Sequence, residues 1–221
     1  MKKILIVAPH PDDEILGCGG TIVKNVREGN EVYVCIVTKG CSPLFDEESV
    51  STVRRECIEC HKKIGVKSTI FLDYPASMLE ETHRYELNDS ILEVIRTILP
   101  EEVYIPHCGD MQKDHQIVSE ACMVALRPKY PFMPKRIYSY ETLSETGWNI
   151  PNTQNNFVPN CFVDISNYLE EKINAFNYYR SQISLFPNAR SVEAIEVLAK
   201  FRGAMMNIKA AEAFEVIREI I

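Results

Sequence analysis

Two distant segments of the chain contain side chains of the kind that bind a metal ion. One is His10-Pro-Asp12-Asp13, which follows a short apolar run, and the other contains His115. Two imidazoles and one carboxylate, from His10, Asp13 and His115, form a set that holds a catalytic zinc and leaves a position open for water. Bound zinc polarises a carbonyl oxygen and lowers the pKa of water to about 7, and Asp12 would accept the proton as general base. The set predicts hydrolysis of an amide or ester with one Zn²⁺ per chain, or another divalent transition metal in its place.

Both segments also have a purely structural interpretation. Asp12 and Asp13 would serve to cap a following helix, and Asp114-His115 alone is more typical of a helix N-terminus than of a metal site. A turn needs one capping carboxylate, however, and does not need a His beside two of them at the end of a strand. We therefore favour the metal site, in which Asp114 would orient one of the imidazoles. A redox iron in the same set would need a cosubstrate site that the sequence does not indicate.

The elements around these segments alternate between strand and helix patterns. A strand at 3–8, a helix at 17–28 and a strand at 31–38 form a βαβ unit with almost continuously apolar strands. Such strands are buried on both faces, as in a parallel sheet. The alternation continues with a helix, a strand, a helix and a strand at 51–64, 68–73, 87–98 and 102–106. Because the carboxyl ends of parallel strands meet at one edge, we expect an α/β, Rossmann-like three-layer fold in which the two segments converge.

The pattern changes after residue 127. Strand-like pieces at 136–140 and 160–164 flank a loop at 144–159, and a loop of this length is usually functional or mobile. Helices are expected at 166–181, 191–202 and 207–220. We interpret residues 1–221 as a single domain, with a Rossmann-like core at 1–127 and a substrate-side, helical elaboration at 128–221.

Composition restricts the class of function. The net charge of −7 offers no broad positive surface for nucleic acid. No apolar run reaches the roughly 20 residues that cross a bilayer, and the first residues lack the character of a signal peptide, so we expect a cytoplasmic protein. The eight cysteines are scattered through apolar segments. Most are therefore expected to be reduced and buried, with Cys57 and Cys60 on a core helix face rather than in a redox pair.

The segment Ala8-Pro-His10-Pro-Asp12-Asp13-Glu14 resembles the first signature of the LmbE-like and PIG-L-like zinc-dependent N-deacetylases. The resemblance implies a Rossmann-like fold, zinc bound by His10, Asp13 and His115, and Asp12 as the general base. Members of that family typically remove acetyl groups from N-acetylglucosamine units of glycans, glycolipids or nucleotide sugars. We therefore expect a hydrolase that acts on an N-acetylated amino sugar. A zinc amidase for a non-sugar substrate, or a metal-binding or nucleotide-binding protein without hydrolysis, is the alternative.

The second family signature departs from its common form at Gln112. The segment Asp110-Met-Gln112-Lys-Asp114-His115 has an amide where the family usually has a histidine. An amide can donate a hydrogen bond to a developing oxyanion, but it cannot deliver a proton at neutral pH. Either Asp12 returns the proton that it has taken, or His107 replaces the missing histidine. A branch of the family associated with bacterial surface polysaccharides often has an amide here, and later segments of this chain resemble that branch.

Three residues are candidates for contact with the substrate. Arg54 follows the loop after the second strand, Trp148 lies in the long loop, and Arg180 lies at the end of the first helix predicted in the elaboration. Each also has an ordinary structural interpretation, as a solvated charge, an anchor for a loop or a partner for an acidic neighbour. The sequence leaves open the sugar, its carrier and whether the chain forms a homo-oligomer.

Overall fold

A seven-stranded sheet forms the centre of the computed structural model, which describes residues 1–221. Its strands, in chain order, are β1 (Lys3–Ala8), β2 (Glu31–Lys39), β3 (Ser68–Pro75), β4 (Glu102–Pro106), β5 (Arg136–Tyr140), β6 (Cys161–Asp164) and β7 (Ala211–Glu219). The helices are α1 (Asp13–Arg27), α2 (Glu47–Ile64), α3 (Arg84–Ile98), α4 (Lys113–Ala125), α5 (Leu169–Phe176) and α6 (Val192–Met205). None of these helices is both long and apolar enough to cross a membrane.

The strand order is β3-β2-β1-β4-β5-β7-β6, and the pairs from β3 to β5 are all parallel. β7 pairs antiparallel with both β5 and β6. The prediction of an α/β fold with a mostly parallel sheet is therefore confirmed. From β1 the chain adds β2 and then β3 on one side of β1, and it then crosses to the other side to form β4. The strand order therefore reverses between β1 and β4. In sheets of this type, such a reversal opens a crevice at the carboxyl ends of the strands.

Alternate residues of β1 face two separate cores, which accounts for its continuous apolar run. Ile4 and Ile6 pack with side chains of α1, α2, α5 and α6, whereas Leu5 and Val7 pack with side chains of α3 and α4. All four are buried. A strand covered on both faces has no polar side. The structure accordingly has three layers, with helices on both sides of the sheet.

The prediction of a final helix at 207–220 is wrong, because this segment contains strand β7. Alanine and glutamate in Ala211–Glu219 favour a helix when considered locally. In the folded chain this segment lies between β5 and β6, where Phe214 is fully buried and the backbone pairs on both edges. Pairing within the sheet therefore overrides the local preference.

Helix α1 begins four residues earlier than the sequence predicts, immediately after the polar segment. Two carboxylates close the turn that precedes it. Oδ2 of Asp13 accepts a hydrogen bond from the backbone N–H of His10 at 3.0 Å, and Oε2 of Glu14 accepts one from that of Asp12 at 3.0 Å. The first helical turn is thus built from the acidic residues of the motif itself. The following glycines lie inside the helix, and a Cβ at Gly17 would collide with the ring of Tyr140.

Candidate metal centre and active site

The ligand atoms of His10, Asp13 and His115 lie within 4.8 Å of one another. His10 follows β1, Asp13 is the first residue of α1, and His115 lies in the first turn of α4. Oδ2 of Asp13 is 3.2 Å from Nδ1 of His10 and 3.2 Å from Nε2 of His115. The reversal of strand order between β1 and β4 therefore brings the three predicted ligands together, although His115 is far from the others along the chain.

The spacing and chemistry of these atoms fit a divalent cation. Zinc bonds of about 2.0–2.1 Å in a tetrahedral site place neighbouring ligand atoms roughly 3.3 Å apart, close to the separations found here. Oδ1 of Asp13 and Nε2 of His115 are buried and have no hydrogen-bond partner in the protein. Buried polar atoms without partners are costly, and a bound cation removes that cost. The donor set is also the one that leaves a zinc coordination position open.

A second carboxylate orients each imidazole from its far side. Oδ2 of Asp114 lies 3.0 Å from Nε2 of His10, and Oδ2 of Asp110 lies 2.8 Å from Nδ1 of His115. Asp114 is itself fixed, because it accepts a hydrogen bond from the backbone N–H of Ser77. Carboxylates in this position set the tautomer and direction of a metal-binding imidazole. Asp114 thus lies where it can orient the imidazole of His10, and Asp110 lies where it can orient that of His115.

The electric field at this cluster favours positive charge. Burial alone would lower the pKa of the two imidazoles, but neighbouring carboxylates outweigh it and raise the pKa of His10 to about 8 and that of His115 to about 10. Burial alone would raise the pKa of Asp13, but His115 and His10 hold it well below its usual range. A divalent cation bound by the neutral imidazoles would supply the positive charge that these carboxylates favour, and its binding would release the protons of the imidazoles. The electrostatics therefore agree with the geometry.

Asp12 is fully buried beside the ligand cluster and has an unusual backbone conformation. Its φ of 115° lies in the left-handed region, which costs a non-glycine residue about 1–3 kcal/mol. Oδ2 lies 3.0 Å from Nη1 of Arg190 without the alignment of a hydrogen bond, and Oδ1 has no partner. Burial raises the pKa of Asp12 to about 8, with Asp13 and Glu14 adding to the effect and Arg190 opposing it. Strain of this kind is common at active sites, where it directs a side chain toward the reaction.

A cavity of about 250 Å³ opens in front of Asp12 and His10. Gln112, Glu145 and Arg190 line it from other parts of the chain. Gln112 is the residue that precedes α4, and its side chain makes no capping hydrogen bond to that helix. The amide therefore belongs to the cavity wall and is free to contact a bound molecule.

His107, the alternative to Gln112, lies outside this cavity. Its Nδ1 is 3.1 Å from Oε2 of Glu215, and its Nε2 is 3.2 Å from the backbone oxygen of Asn155. Burial alone would lower the pKa of His107, but Glu215 and Asn155 outweigh it and raise that pKa. With both nitrogens engaged as donors, this imidazole connects β4 to β7 and the long loop. The structure gives it a position that does not suit proton transfer in the cavity.

The three residues considered for substrate contact are also outside the cavity. Arg54 pairs with Asp73, stacks on the ring of Phe71, and lines a neighbouring groove rather than the cavity itself. Trp148 is 63% exposed in the long loop, and Arg180 is exposed just beyond α5. Their assignment to the substrate gains no support from these positions.

Sequence reasoning missed two charged residues that line the cavity, Glu145 and Arg190. Glu145 lies in the long loop, where its backbone oxygen accepts a hydrogen bond from the N–H of Met111. Burial raises the pKa of Glu145. Arg190 lies in the segment between α5 and α6, and no local pattern marks either residue. Met111 belongs to the second signature, but its contact with Glu145 is tertiary, so no signal in the sequence could have found these two residues.

Comparison with known protein families identifies the family to which this chain belongs. Residues 5–126 match the PIG-L family model, described as GlcNAc-PI de-N-acetylase. The chain belongs to the PIG-L family. The matched region contains both segments of the ligand cluster, from β1 to α4, so the resemblance seen in the two signatures is confirmed.

Several proteins with similar sequences or structures are deacetylases by name. The chain is 29% identical over 192 residues to the Uncharacterized deacetylase YaiS of Escherichia coli, covering 81% of this chain and 91% of that protein. It is also 29% identical over 194 residues to the diacetylchitobiose deacetylase of Thermococcus kodakarensis, covering 82% and 70%. The solved structure of the N,N'-diacetylchitobiose deacetylase of Pyrococcus horikoshii superimposes with a TM-score of 0.78 at 25% identity, covering 98% of this chain and 84% of that one.

Proposed function

We propose that the protein is a zinc-dependent hydrolase that removes the acetyl group from an N-acetylated amino sugar of the N-acetylglucosamine type. The observation that carries this proposal is the convergence of His10, Asp13 and His115 beside the buried carboxylate of Asp12, at the wall of a cavity. Membership of the PIG-L family and the deacetylase relatives support the same reaction.

The chain's own residues divide the chemistry between holding a cation and moving a proton. His10, Asp13 and His115 would hold Zn²⁺, which when bound supplies a Lewis acid and lowers the pKa of water. Asp12 accepts the proton of the attacking water. We assign this transfer to Oδ1, because Oδ2 faces Arg190 whereas Oδ1 has no partner in the protein. Burial raises the pKa of this carboxyl, whereas a cation held by the neighbouring ligands would lower it and favour the charged form that accepts a proton.

Gln112 has a binding role in this scheme. Its amide N–H donates a hydrogen bond to the acetyl oxygen as negative charge develops there, which is a role that an amide performs without changing protonation. Protonation of the leaving amine then falls to Asp12, since Gln112 cannot release a proton and His107 lies outside the cavity. Asp12 is therefore both the base and the acid of the reaction.

Amine release from N-acetylglucosamine and N,N'-diacetylchitobiose by the zinc-loaded protein tests the proposal. Asp12→Asn should lower kcat by at least about 100-fold with the bound zinc per chain unchanged, because it removes the proton acceptor but no ligand. Asp89→Asn makes the same chemical change at an exposed position of α3 and should have no effect.

N-acetylated amino acids, assayed in parallel, separate a sugar deacetylase from an amidase with a non-sugar substrate. Stoichiometric zinc without amine release from any sugar, or an Asp12→Asn protein with full activity, would contradict the proposal.

A further inference from the structure

Glu14 is the centre of a buried hydrogen-bond network directly behind Asp12. Its Oε2 accepts a hydrogen bond from the backbone N–H of Asp12 at 3.0 Å. Its Oε1 accepts one from the hydroxyl of Tyr179 and lies 3.0 Å from Nε2 of His61. Glu14 and Tyr179 are completely buried, and His61 is 2% exposed. Both oxygens of one carboxylate thus connect Asp12 to α2 and to the segment that follows α5.

This network is closed and does not form a second metal site, although Glu14, Cys57 and His61 are close enough for one. The second nitrogen of His61, Nδ1, lies 2.7 Å from Oγ1 of Thr69, so both ring nitrogens have partners. Burial raises the pKa of the Cys57 thiol, which favours the neutral thiol over the thiolate that metals bind. The cluster therefore serves to hold Glu14 in place.

The backbone of Asp12 needs such support because its φ of 115° is in the left-handed region. Its carbonyl oxygen is already fixed, since it accepts hydrogen bonds from the N–H groups of Ile15 and Leu16 in α1. The N–H on the other side is held by Glu14. Release of that N–H would allow the residue to relax toward an ordinary φ, and the carboxylate would turn with it.

The segment between α5 and α6 reaches Asp12 at two points. Tyr179 reaches its backbone through Glu14, and Nη1 of Arg190 lies 3.0 Å from its Oδ2. This segment lies outside residues 5–126, which match the family model. On the basis of the function proposed above, we propose that Tyr179 is a positioning residue, whose hydroxyl acts through Glu14 to hold the general base Asp12 in its reactive orientation.

Tyr179→Phe removes only the hydroxyl, and Tyr178→Phe makes the same change at the half-buried neighbouring residue. In the zinc-loaded protein, Tyr179→Phe should lower kcat by about 10-fold, with KM within about twofold and zinc per chain unchanged. Tyr178→Phe should behave as the wild type. A merely structural role would lower folded protein or zinc content instead of kcat alone.

A double-variant comparison tests the route through Glu14. Glu14→Gln should lower kcat by about 100-fold, and adding Tyr179→Phe to it should lower kcat by less than about twofold more, because both changes interrupt one connection. Multiplicative losses would overturn the inference. If Tyr179→Phe fails to fold, the kcat of Glu14→Gln alone tests the inference, and a kcat equal to that of the wild type would contradict the positioning of Asp12 through Glu14.

Hydrogen exchange of the Asp12 amide gives a readout that is independent of activity. Exchange should be faster in Tyr179→Phe than in Tyr178→Phe, and equal rates would overturn the inference. An inactive wild type with this difference in exchange would refute the proposed reaction but retain the positioning. An active wild type with an equally active Tyr179→Phe would refute the positioning alone.

Discussion

Replacing Asp12 with asparagine should stabilise the zinc-free protein, although we expect the same change to lower kcat of the zinc-loaded protein. Asp12 is fully buried, with a φ of 115° and one oxygen that has no partner. Asparagine has nearly the same shape, tolerates a positive φ and carries no charge. The substitution therefore removes the cost of a buried carboxylate without changing the backbone.

The pH dependence follows from the difference between the ordinary pKa of 3.8 and the pKa of about 8 in the folded chain. Between these values the folded protein keeps a proton that the unfolded chain releases. The contribution of Asp12 to stability is thus fully present below the unfolded pKa and is lost as the pH rises toward about 8. One pH unit in this window corresponds to about 1.4 kcal/mol, so Asp12→Asn should gain up to about 2.7 kcal/mol over wild type between about pH 5 and about pH 7.

Urea unfolding of the chelated protein at these pH values measures the effect, and chelation is needed because a bound cation would favour the charged carboxyl. The exposed Asp89→Asn variant should show a stability difference from wild type that stays near zero. A difference between Asp12→Asn and wild type that does not grow with pH would refute the reasoning that Asp12 is a buried carboxyl with a raised pKa.

Three further variants probe the surroundings of the site. Asp110→Asn weakens the hydrogen-bond acceptor of the His115 imidazole and should reduce zinc affinity by about 10–100-fold. Competition with a chromogenic chelator measures this affinity, and an unchanged value would contradict the orienting role of Asp110. The pKa of His107 is raised above its ordinary 6.5 by Glu215 despite burial, so the pair stabilises the fold below that value and loses its effect as the pH rises through the folded pKa. His107→Gln should therefore destabilise the protein more at about pH 6 than at about pH 9 in urea unfolding, and an equal loss at both would argue against the ion pair. Gly17→Ala adds a Cβ that collides with a buried aromatic ring and should cost about 1–3 kcal/mol in thermal unfolding, whereas an unchanged melting temperature would show that the contact is looser than described.

Some features of the fold can be predicted from local sequence, because they depend on residues that are close together in the chain. The apolar run of β1 is buried on both faces because alternate residues meet different cores, and the polar residues after it close the turn into α1. The βαβ alternation likewise predicts parallel pairing, since the crossovers from β1 to β2 and from β2 to β3 connect adjacent strands. In these regions, local preference and tertiary structure agree.

Prediction fails where tertiary contacts override local preference. Ala211–Glu219 has helix-favouring residues but becomes an interior strand, because its backbone pairs with β5 and β6 on both edges. His107 follows a parallel strand, as an active-site residue would, but Glu215 of that misassigned strand engages it. One error in element type thus conceals the partner that determines the role of a second residue.

The sequence by itself determined which side chains are candidates for the proposed chemistry, because His10, Asp13 and His115 are of types that bind a cation and Asp12 is of a type that accepts a proton. Only the tertiary structure decided how that chemistry is arranged. It supplied Arg190 beside the carboxylate of Asp12 and Tyr179 behind its backbone, from a segment remote in the chain. No local pattern predicts such contacts, because they arise from packing α5 and its following segment against α1 and the sheet.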